Sequence, residues 1–132
     1  MKRLFFATAI ALGLASCASN QQAVITGEWK VLTINGNELP NTTNEPVLNI
    51  NADKTFYGVT GINRISGEYN LTGNAIQFSD GPMTKMSGDP ESMEVEINYI
   101  KAISSAKTVE NNNGNLILKD ADGKEVMKLG KK

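Results

Sequence analysis

The chain has 132 residues, one cysteine, no histidine and a formal net charge of −1, which becomes −3 once the first residues, with Lys2 and Arg3, are removed. This length holds one domain with a single core, and the slightly acidic balance leaves no basic footprint for nucleic acid. Without histidine, nucleophilic catalysis would require an arrangement such as a Ser-Lys dyad, for which the sequence gives no signal, so we expect no enzymatic activity.

Residues 1–16 have the features of a secretory signal peptide. Lys2 and Arg3 precede an apolar run over residues 4–14, which is too short to cross a bilayer as a helix. The run leads into Leu14-Ala15-Ser16-Cys17, which resembles the lipobox of bacterial lipoproteins, where the cysteine is acylated and becomes the new N-terminus. The resemblance implies a membrane anchor of acyl chains on Cys17. We expect residues 17–26 to form a short lipidated tether.

Short strand-forming segments alternate with turn residues from Glu28 onward. The turns include Asn35-Gly36 and residues 120–123, as in antiparallel hairpins. The second of these turns could also suggest a calcium loop, but it lacks the further acids and the length of an EF-hand. Residues 110–114, ENNNG, are predicted to form a loop. The predicted strands cover residues 28–34, 47–50, 55–59, 65–71, 75–79, 115–119 and 124–129.

Residues 89–105 break the strand periodicity and predict one amphipathic helix of about four turns. Asp89 suits the N-cap, and Pro90 suits the first helical position, where its missing N–H is not needed. The predicted buried stripe consists of apolar residues at three- and four-residue steps, namely Met93, Ile97, Ile100 and Ile103, widened by Val95, Tyr99 and Ala102.

A sheet of short strands must protect its edges, and closure into a barrel removes them. We therefore predict that residues 27–132 form a mostly β domain, a small antiparallel, barrel-like sheet of about seven or eight strands with one helix packed on it. Strand alternation predicts inward positions at Trp29, Leu48, Ile50, Phe56, Ile76 and Phe78.

The segment GVTGINRISGEY, residues 58–69, is open to two interpretations. In the structural one, Gly58 and Gly61 give the backbone freedom where one strand reverses into the next, and Asn63 suits a left-handed turn position. In the functional one, Asn63 and Arg64 form an exposed tip that binds a partner or ligand.

This segment, together with the later T-K-M, resembles the META domain of HslJ-like bacterial lipoproteins. The resemblance covers residues 27–129 and implies a non-enzymatic, stress-associated envelope protein. Many members of that family carry cysteines at the positions of Ile62 and Gly88, so we interpret Ile62 as a core residue that replaces a disulfide. The residues that match the motif are Gly58, Gly61, Asn63, Gly67, Tyr69, Thr84 and Met86.

These features together predict a monomeric envelope lipoprotein that acts through contacts with other envelope proteins. Residue 18 is alanine and not the aspartate that retains lipoproteins at the inner membrane of enteric bacteria, so the resemblance implies the outer membrane, facing the periplasm. Two alternatives stay open. One is a carrier of a small apolar ligand inside the barrel, and the other is a protease-inhibitor-like module that uses the tip at Asn63 and Arg64.

Overall fold

The computed structural model describes residues 21–79 and 81–132. Within them, nine strands form one antiparallel sheet, and eight close into a barrel because β1 pairs with β9 as well as with β3. The remaining strand, β2, extends the sheet beside β1. This architecture confirms the predicted mostly β barrel with one helix. The elements are β1 (Gly27–Ile34), β2 (Asn37–Glu38), β3 (Val47–Ile50), β4 (Thr55–Val59), β5 (Arg64–Thr72), β6 (Ala75–Phe78), α1 (Pro90–Ser105), β7 (Thr108–Asn112), β8 (Asn115–Lys119) and β9 (Glu125–Lys131).

The predicted loop over residues 110–114 is wrong, because most of it belongs to β7. Val109 is the one buried residue of β7, and the residues after it are exposed. Such a strand shows no alternation of apolar and polar residues. It is held by its pairing with β8, in register from Thr108 opposite Lys119. The turn is limited to Asn113 and Gly114, whose φ values of 54° and 88° lie in the left-handed region.

The antiparallel order places the connections at two opposite ends of the barrel. One end, here called the N-terminal end, contains the start of β1, the turns at 51–54, 73–74 and 113–114, and the last residue of the chain. The other end, here called the helix end, contains the connections at 35–46, 60–63 and 120–124 and the long connection that includes α1.

Residues 21–25 are helical and close the N-terminal end. Ile25 is fully buried in the core, and its carbonyl accepts a hydrogen bond of 2.8 Å from Trp29 Nε1. Gln22 Nε2 donates to Tyr69 Oη, which donates to the carbonyl of Asn51 at 2.6 Å. The last residues of the predicted tether are therefore part of the fold. The signal peptide and residues 17–20, including Cys17, lie outside the described residues.

The helix α1 lies across the helix end. Asp89 is its N-cap and Pro90 begins it, as predicted. Met93 and Ile97, which were predicted to be buried, are instead 39% and 51% exposed. Apolar residues line two sides of this helix, so periodicity alone does not identify the buried side. The side that faces the core carries Ser92, Val95, Tyr99, Ala102 and Ile103.

The interior of the barrel is a packed hydrophobic core. All six predicted inward residues are buried, and they belong to one cluster that includes residues of α1. Phe56 and Phe78 contact each other edge to face, with ring centroids 5.2 Å apart. Neither α1 nor the helical turns at 21–25 are long and apolar enough to cross a membrane.

Candidate functional site

The motif found in the sequence lies at the helix end, at the turn between β4 and β5. Three polar residues of the described chain are buried, namely Thr60, Asn63 and Ser92, and all three belong to the hydrogen-bonded cluster around this turn. The cluster joins the turn to three other segments: α1, the connection before β3, and the strap, which we define as residues 81–88. Polar groups buried in a core need hydrogen-bond partners, and each of these three side chains has them.

Asn63 attaches the strap to the barrel. Its side-chain oxygen accepts hydrogen bonds from Met86 N at 2.8 Å and Thr84 Oγ1 at 3.0 Å, and its Nδ2 donates to the carbonyl of Met86 at 3.1 Å. Thr84 also pairs with the backbone of Arg64, donating from its N–H at 3.1 Å and accepting at Oγ1 at 3.0 Å. The side-chain amide of Asn63 thus donates to and accepts from the backbone of Met86, as a peptide group of a neighbouring strand would.

Thr60 links the same turn to α1. Its N–H donates to the carbonyl of Asn63 at 2.9 Å, and its Oγ1 accepts from Asn63 N at 3.2 Å. The hydroxyl has one proton, which can reach either Glu96 Oε1 at 2.7 Å or the Asn63 carbonyl at 3.2 Å. The carboxylate is the closer and stronger acceptor, so we assign the proton to Glu96.

Ser92 and Asp89 join the first turn of α1 to the connection before β3. Thr43 donates its N–H to Ser92 Oγ at 3.0 Å and its hydroxyl to Asp89 Oδ1 at 3.0 Å. Hydrogen bonds, mainly from Ser92, lower the pKa of Asp89 to about 2, so this N-cap is ionised at neutral pH. The sequence identified Asp89 as the N-cap but did not single out Thr43, Thr60 or Ser92. The sequence offers a local signal only for Ser92, which lies three residues after the N-cap.

Only one of the motif glycines is required for its backbone angle. Gly61 has φ of 119°, in the region that favours glycine. Asn63 does not have a positive φ, so the left-handed turn conformation predicted for Asn63 is wrong. Gly58 is required for space, because a Cβ there would overlap Tyr99 Oη. Tyr99 is fully buried, which raises the pKa of its hydroxyl, and it donates to the carbonyl of Val47 at 2.7 Å.

The structure separates the remaining motif residues. A Cβ on Gly67 would overlap the carbonyl oxygen of Ser79, so this glycine lets the chain cross close to β5. Tyr69 belongs to the N-terminal end, away from Asn63. Asn63 is 2% exposed, whereas Arg64 is exposed. Of the two residues of the predicted contact tip, only Arg64 is therefore exposed, and the exposed Met86 lies beside it.

Ile62 and Gly88 face each other across the turn and the strap. Ile62 is 4% exposed, and a Cβ on Gly88 would lie 2.9 Å from Ile62 Cγ1. Since Cγ1 is bonded to Cβ at about 1.5 Å, the two Cβ atoms would be within about 4.4 Å of each other, a separation that a disulfide can bridge. Ile62 fills the space beside Gly88.

We predict that the variant Ile62→Cys/Gly88→Cys, made in a Cys17→Ser chain, forms a disulfide under oxidising conditions. The oxidised form should be more stable than its reduced form by about 3.5 kcal/mol, the value for a loop of this length. Thiol titration of the unfolded protein and thermal unfolding with and without reductant measure both effects. Ile62→Cys alone is the control and should keep one free thiol. Two free thiols after oxidation would contradict the prediction.

A pocket opens between α1, the strap and strands β4 to β6. Its volume is about 220 Å³, and its lining is mainly apolar. It lies at the side of the packed core and not inside the barrel, and it is lined by residues that include Phe56, Ile65, Phe78, Met83, Ile100 and Ile103.

The buried polar side chains of the cluster bind one another and the neighbouring backbone. Thr60, Asn63 and Ser92 all have hydrogen-bond partners inside the cluster. No group of three or more Asp, Glu or Cys side chains in residues 21–79 and 81–132 could hold a metal ion. The cluster holds the turn, the strap and α1 in one arrangement.

Comparison with protein families gives an identification. The sequence model of the META domain matches residues 22–132, which include the turn, the strap and α1. The chain belongs to the META domain family. In this META domain the match begins within the helical turns at 21–25, in agreement with the burial of Ile25. No curated protein matches the chain significantly.

Solved structures share the fold of this META domain. An NMR structure of a protein from Burkholderia xenovorans has a TM-score of 0.65 at 16% identity and covers 100% of this chain and 99% of that one. A crystal structure of a DUF4847 family protein from Bacteroides vulgatus has a TM-score of 0.60 at 15% identity, with coverage of 86% and 97%. A further NMR structure has a TM-score of 0.61 at 17% identity, with coverage of 83% and 92%. Identities this low show the fold alone.

Proposed function

We propose that this META domain protein is an HslJ-like lipoprotein of the bacterial cell envelope, anchored by acyl chains on Cys17, and that it acts by binding other envelope proteins without catalysing a reaction. The observation that carries the proposal is the position of Cys17. It is the only cysteine, it follows Leu14-Ala15-Ser16, and it precedes the first described residue of the fold by four positions. A lone cysteine cannot close an internal disulfide, and acylation gives it a role.

The proposed location is the outer membrane, with the domain in the periplasm, since Ala18 is not an inner-membrane retention signal. The proposed link to envelope stress comes from the resemblance to HslJ-like proteins.

Exposed apolar residues support a role in protein contacts. Large hydrophobic side chains of the described chain are exposed at Val24 and at four positions of the strap and α1. Methionine side chains are flexible and polarizable and are common at surfaces that adapt to partners. The four residues that form this contact surface are Met83, Met86, Met93 and Ile97.

Replacing Cys17 with serine should remove the anchor. We expect the native protein to carry the mass of acyl chains and to sediment with membranes, because several chains bind far more strongly than the single chain that binds reversibly. The Cys17→Ser protein should carry no acyl mass and should be absent from the mature membrane-bound fraction. Mass spectrometry and membrane fractionation measure this, with Ser19→Ala as the control. Native protein with an unprocessed N-terminus and a free thiol would contradict the proposal.

The pocket beside α1 favours a second function, the binding of a compact apolar molecule. Its volume of about 220 Å³ exceeds the roughly 150 Å³ of a cavity known to take up benzene. Replacing the exposed pocket residue Ser104 with tryptophan should fill the opening and abolish the binding of benzene, measured by chemical-shift changes in NMR spectra. Lys101→Trp, outside the pocket, is the control and should bind as the parent does. No benzene binding by the folded parent would contradict this function.

A further inference from the structure

We infer that the N-terminal end of the barrel faces the lipid bilayer and that the helix end faces away from it. The inference rests on the proposed acylation of Cys17 and adds an orientation to it. Three residues separate Cys17 from Gln21, so the acylated residue is four Cα–Cα steps from the fold and lies within about 14 Å of the barrel even when the chain is extended. The anchor is therefore at the N-terminal end.

The chain leaves the barrel from a fixed point. Thr26 N donates to the carbonyl of Gln22 at 3.2 Å, and Gln22 binds Tyr69 Oη between the strands. Gln21 Nε2 donates to the carbonyl of Val109 at 3.4 Å, and the buried Ile25 inserts into the core. A flexible linker starting at residue 26 would allow any orientation, but this packing leaves only residues 18–20 between the acylated residue and the described fold.

The short reach excludes an inverted orientation. The nine residues of β5 extend over about 30 Å at 3.3 Å per residue. A tether of about 14 Å cannot pass along the barrel to bring the helix end against the same bilayer. The remaining choices are an upright barrel and one that lies on its side.

The charge distribution favours the upright barrel. The helix end is acidic, because its five basic residues, Arg64, Lys85, Lys101, Lys107 and Lys124, are fewer than its carboxylates. The connections at the N-terminal end carry only Asp53 and Lys54, and the chain ends in Lys131-Lys132. Anionic lipid headgroups repel the acidic end and not the other. The carboxylates of the helix end belong to Glu38, Glu45, Asp89, Glu91, Glu94, Glu96, Asp120 and Asp122.

This orientation assigns a partner to each end. The asparagine- and glycine-rich turns at 73–74 and 113–114, and the turn at 51–54, face the polar lipid headgroups. The contact surface of the strap and α1 faces away from the lipid, where other proteins can reach it.

Single-cysteine labelling tests the orientation. Acylation uses the thiol of Cys17, so an introduced cysteine is the only reactive thiol in the mature protein. Asn74→Cys marks the N-terminal end and Ala121→Cys marks the helix end. Both positions are exposed hairpin turns, and neither change alters the charge. The labelled lipoproteins are reconstituted into phosphatidylethanolamine and phosphatidylglycerol vesicles that carry a headgroup-attached quencher. The label at residue 74 should lose most of its emission, and the label at residue 121 should keep most of its own.

Equal quenching at the two positions, or stronger quenching at residue 121, would overturn the orientation while leaving the anchor intact. Protein that fails to float with the vesicles would overturn the proposed anchor and the orientation with it, so flotation separates the two failures. A third variant, with about twelve Gly and Ser residues inserted after Cys17, lengthens the reach and should reduce the difference between the two labels. An unchanged difference in that variant would contradict the role of the short tether.

Discussion

Replacing Gly58 with alanine should destabilise the domain by about 2 to 5 kcal/mol, the sum of an overpacking term and the loss of one buried hydrogen bond. The new Cβ would overlap Tyr99 Oη and would lie 3.2 Å from the carbonyl oxygen of Val47. Tyr99 cannot move aside easily, because its ring is rigid and fully buried and its hydroxyl is bonded to that same carbonyl. Either α1 shifts away from the barrel or the hydrogen bond breaks.

Thermal unfolding measures this effect, and a fall in Tm of more than about 10 °C is expected for a domain of this size. Tyr99→Phe is the matched variant, since it removes only the atom that the new Cβ would overlap. The double variant Gly58→Ala/Tyr99→Phe should therefore be more stable than Gly58→Ala alone. If the two changes simply add, the overlap with Tyr99 is not the cause. An unchanged Tm for Gly58→Ala would contradict the close contact itself.

The parts of the fold that follow a regular pattern could be predicted from the sequence. The inward residues of the barrel were predictable where apolar and polar residues alternate along a strand, as Ile76 and Phe78 do on either side of Gln77. The start of α1 was predictable because Asp89 and Pro90 act through local geometry. These features depend on residues close together in the chain.

The rest of the fold depends on contacts between distant residues. The buried side of α1 is set by Tyr99, which must reach the carbonyl of Val47, and this long-range bond leaves Met93 and Ile97 outside. The strand β7 is formed by its pairing with β8 and has a single buried residue. The role of Asn63 could not be predicted for the same reason, since its partners lie more than twenty residues away. A motif of glycine and asparagine is typical of turns, and the sequence does not show that the side chain points inward.

Replacing Asn63 with alanine should destabilise the domain by about 2 to 4 kcal/mol, because hydrogen-bonding groups near the core lose their partner. The groups left without it are the N–H and carbonyl of Met86 and the hydroxyl of Thr84. The strap should separate from the barrel before the rest of the domain unfolds, since these bonds and the pairing with Arg64 hold it. Trypsin should then cleave after the exposed Lys85 of the strap.

The readouts are thermal unfolding and the rate of cleavage after Lys85. Arg64→Ala, at the exposed neighbouring position, is the control for stability and should stay within about 0.5 kcal/mol of the parent. Unchanged stability and cleavage in Asn63→Ala would show that the strap is held by other contacts.

Asn63→Asp separates the loss of hydrogen bonds from the loss of volume. A carboxylate can still accept from Met86 N and Thr84 Oγ1, but it cannot donate to the carbonyl of Met86, and its charge is buried at a site that is 2% exposed. Burial should raise the pKa of the new carboxyl above the value of about 3.9 for an unfolded chain. The destabilisation caused by the buried charge is then fully present above the raised pKa. It disappears as the pH falls below about 3.9, where the protonated acid can donate to the carbonyl of Met86. The difference in stability between Asn63→Asp and the parent should therefore narrow on acidification, whereas the difference for Asn63→Ala should not change with pH. Parallel pH profiles for the two variants would contradict a raised pKa of the buried carboxyl at this position.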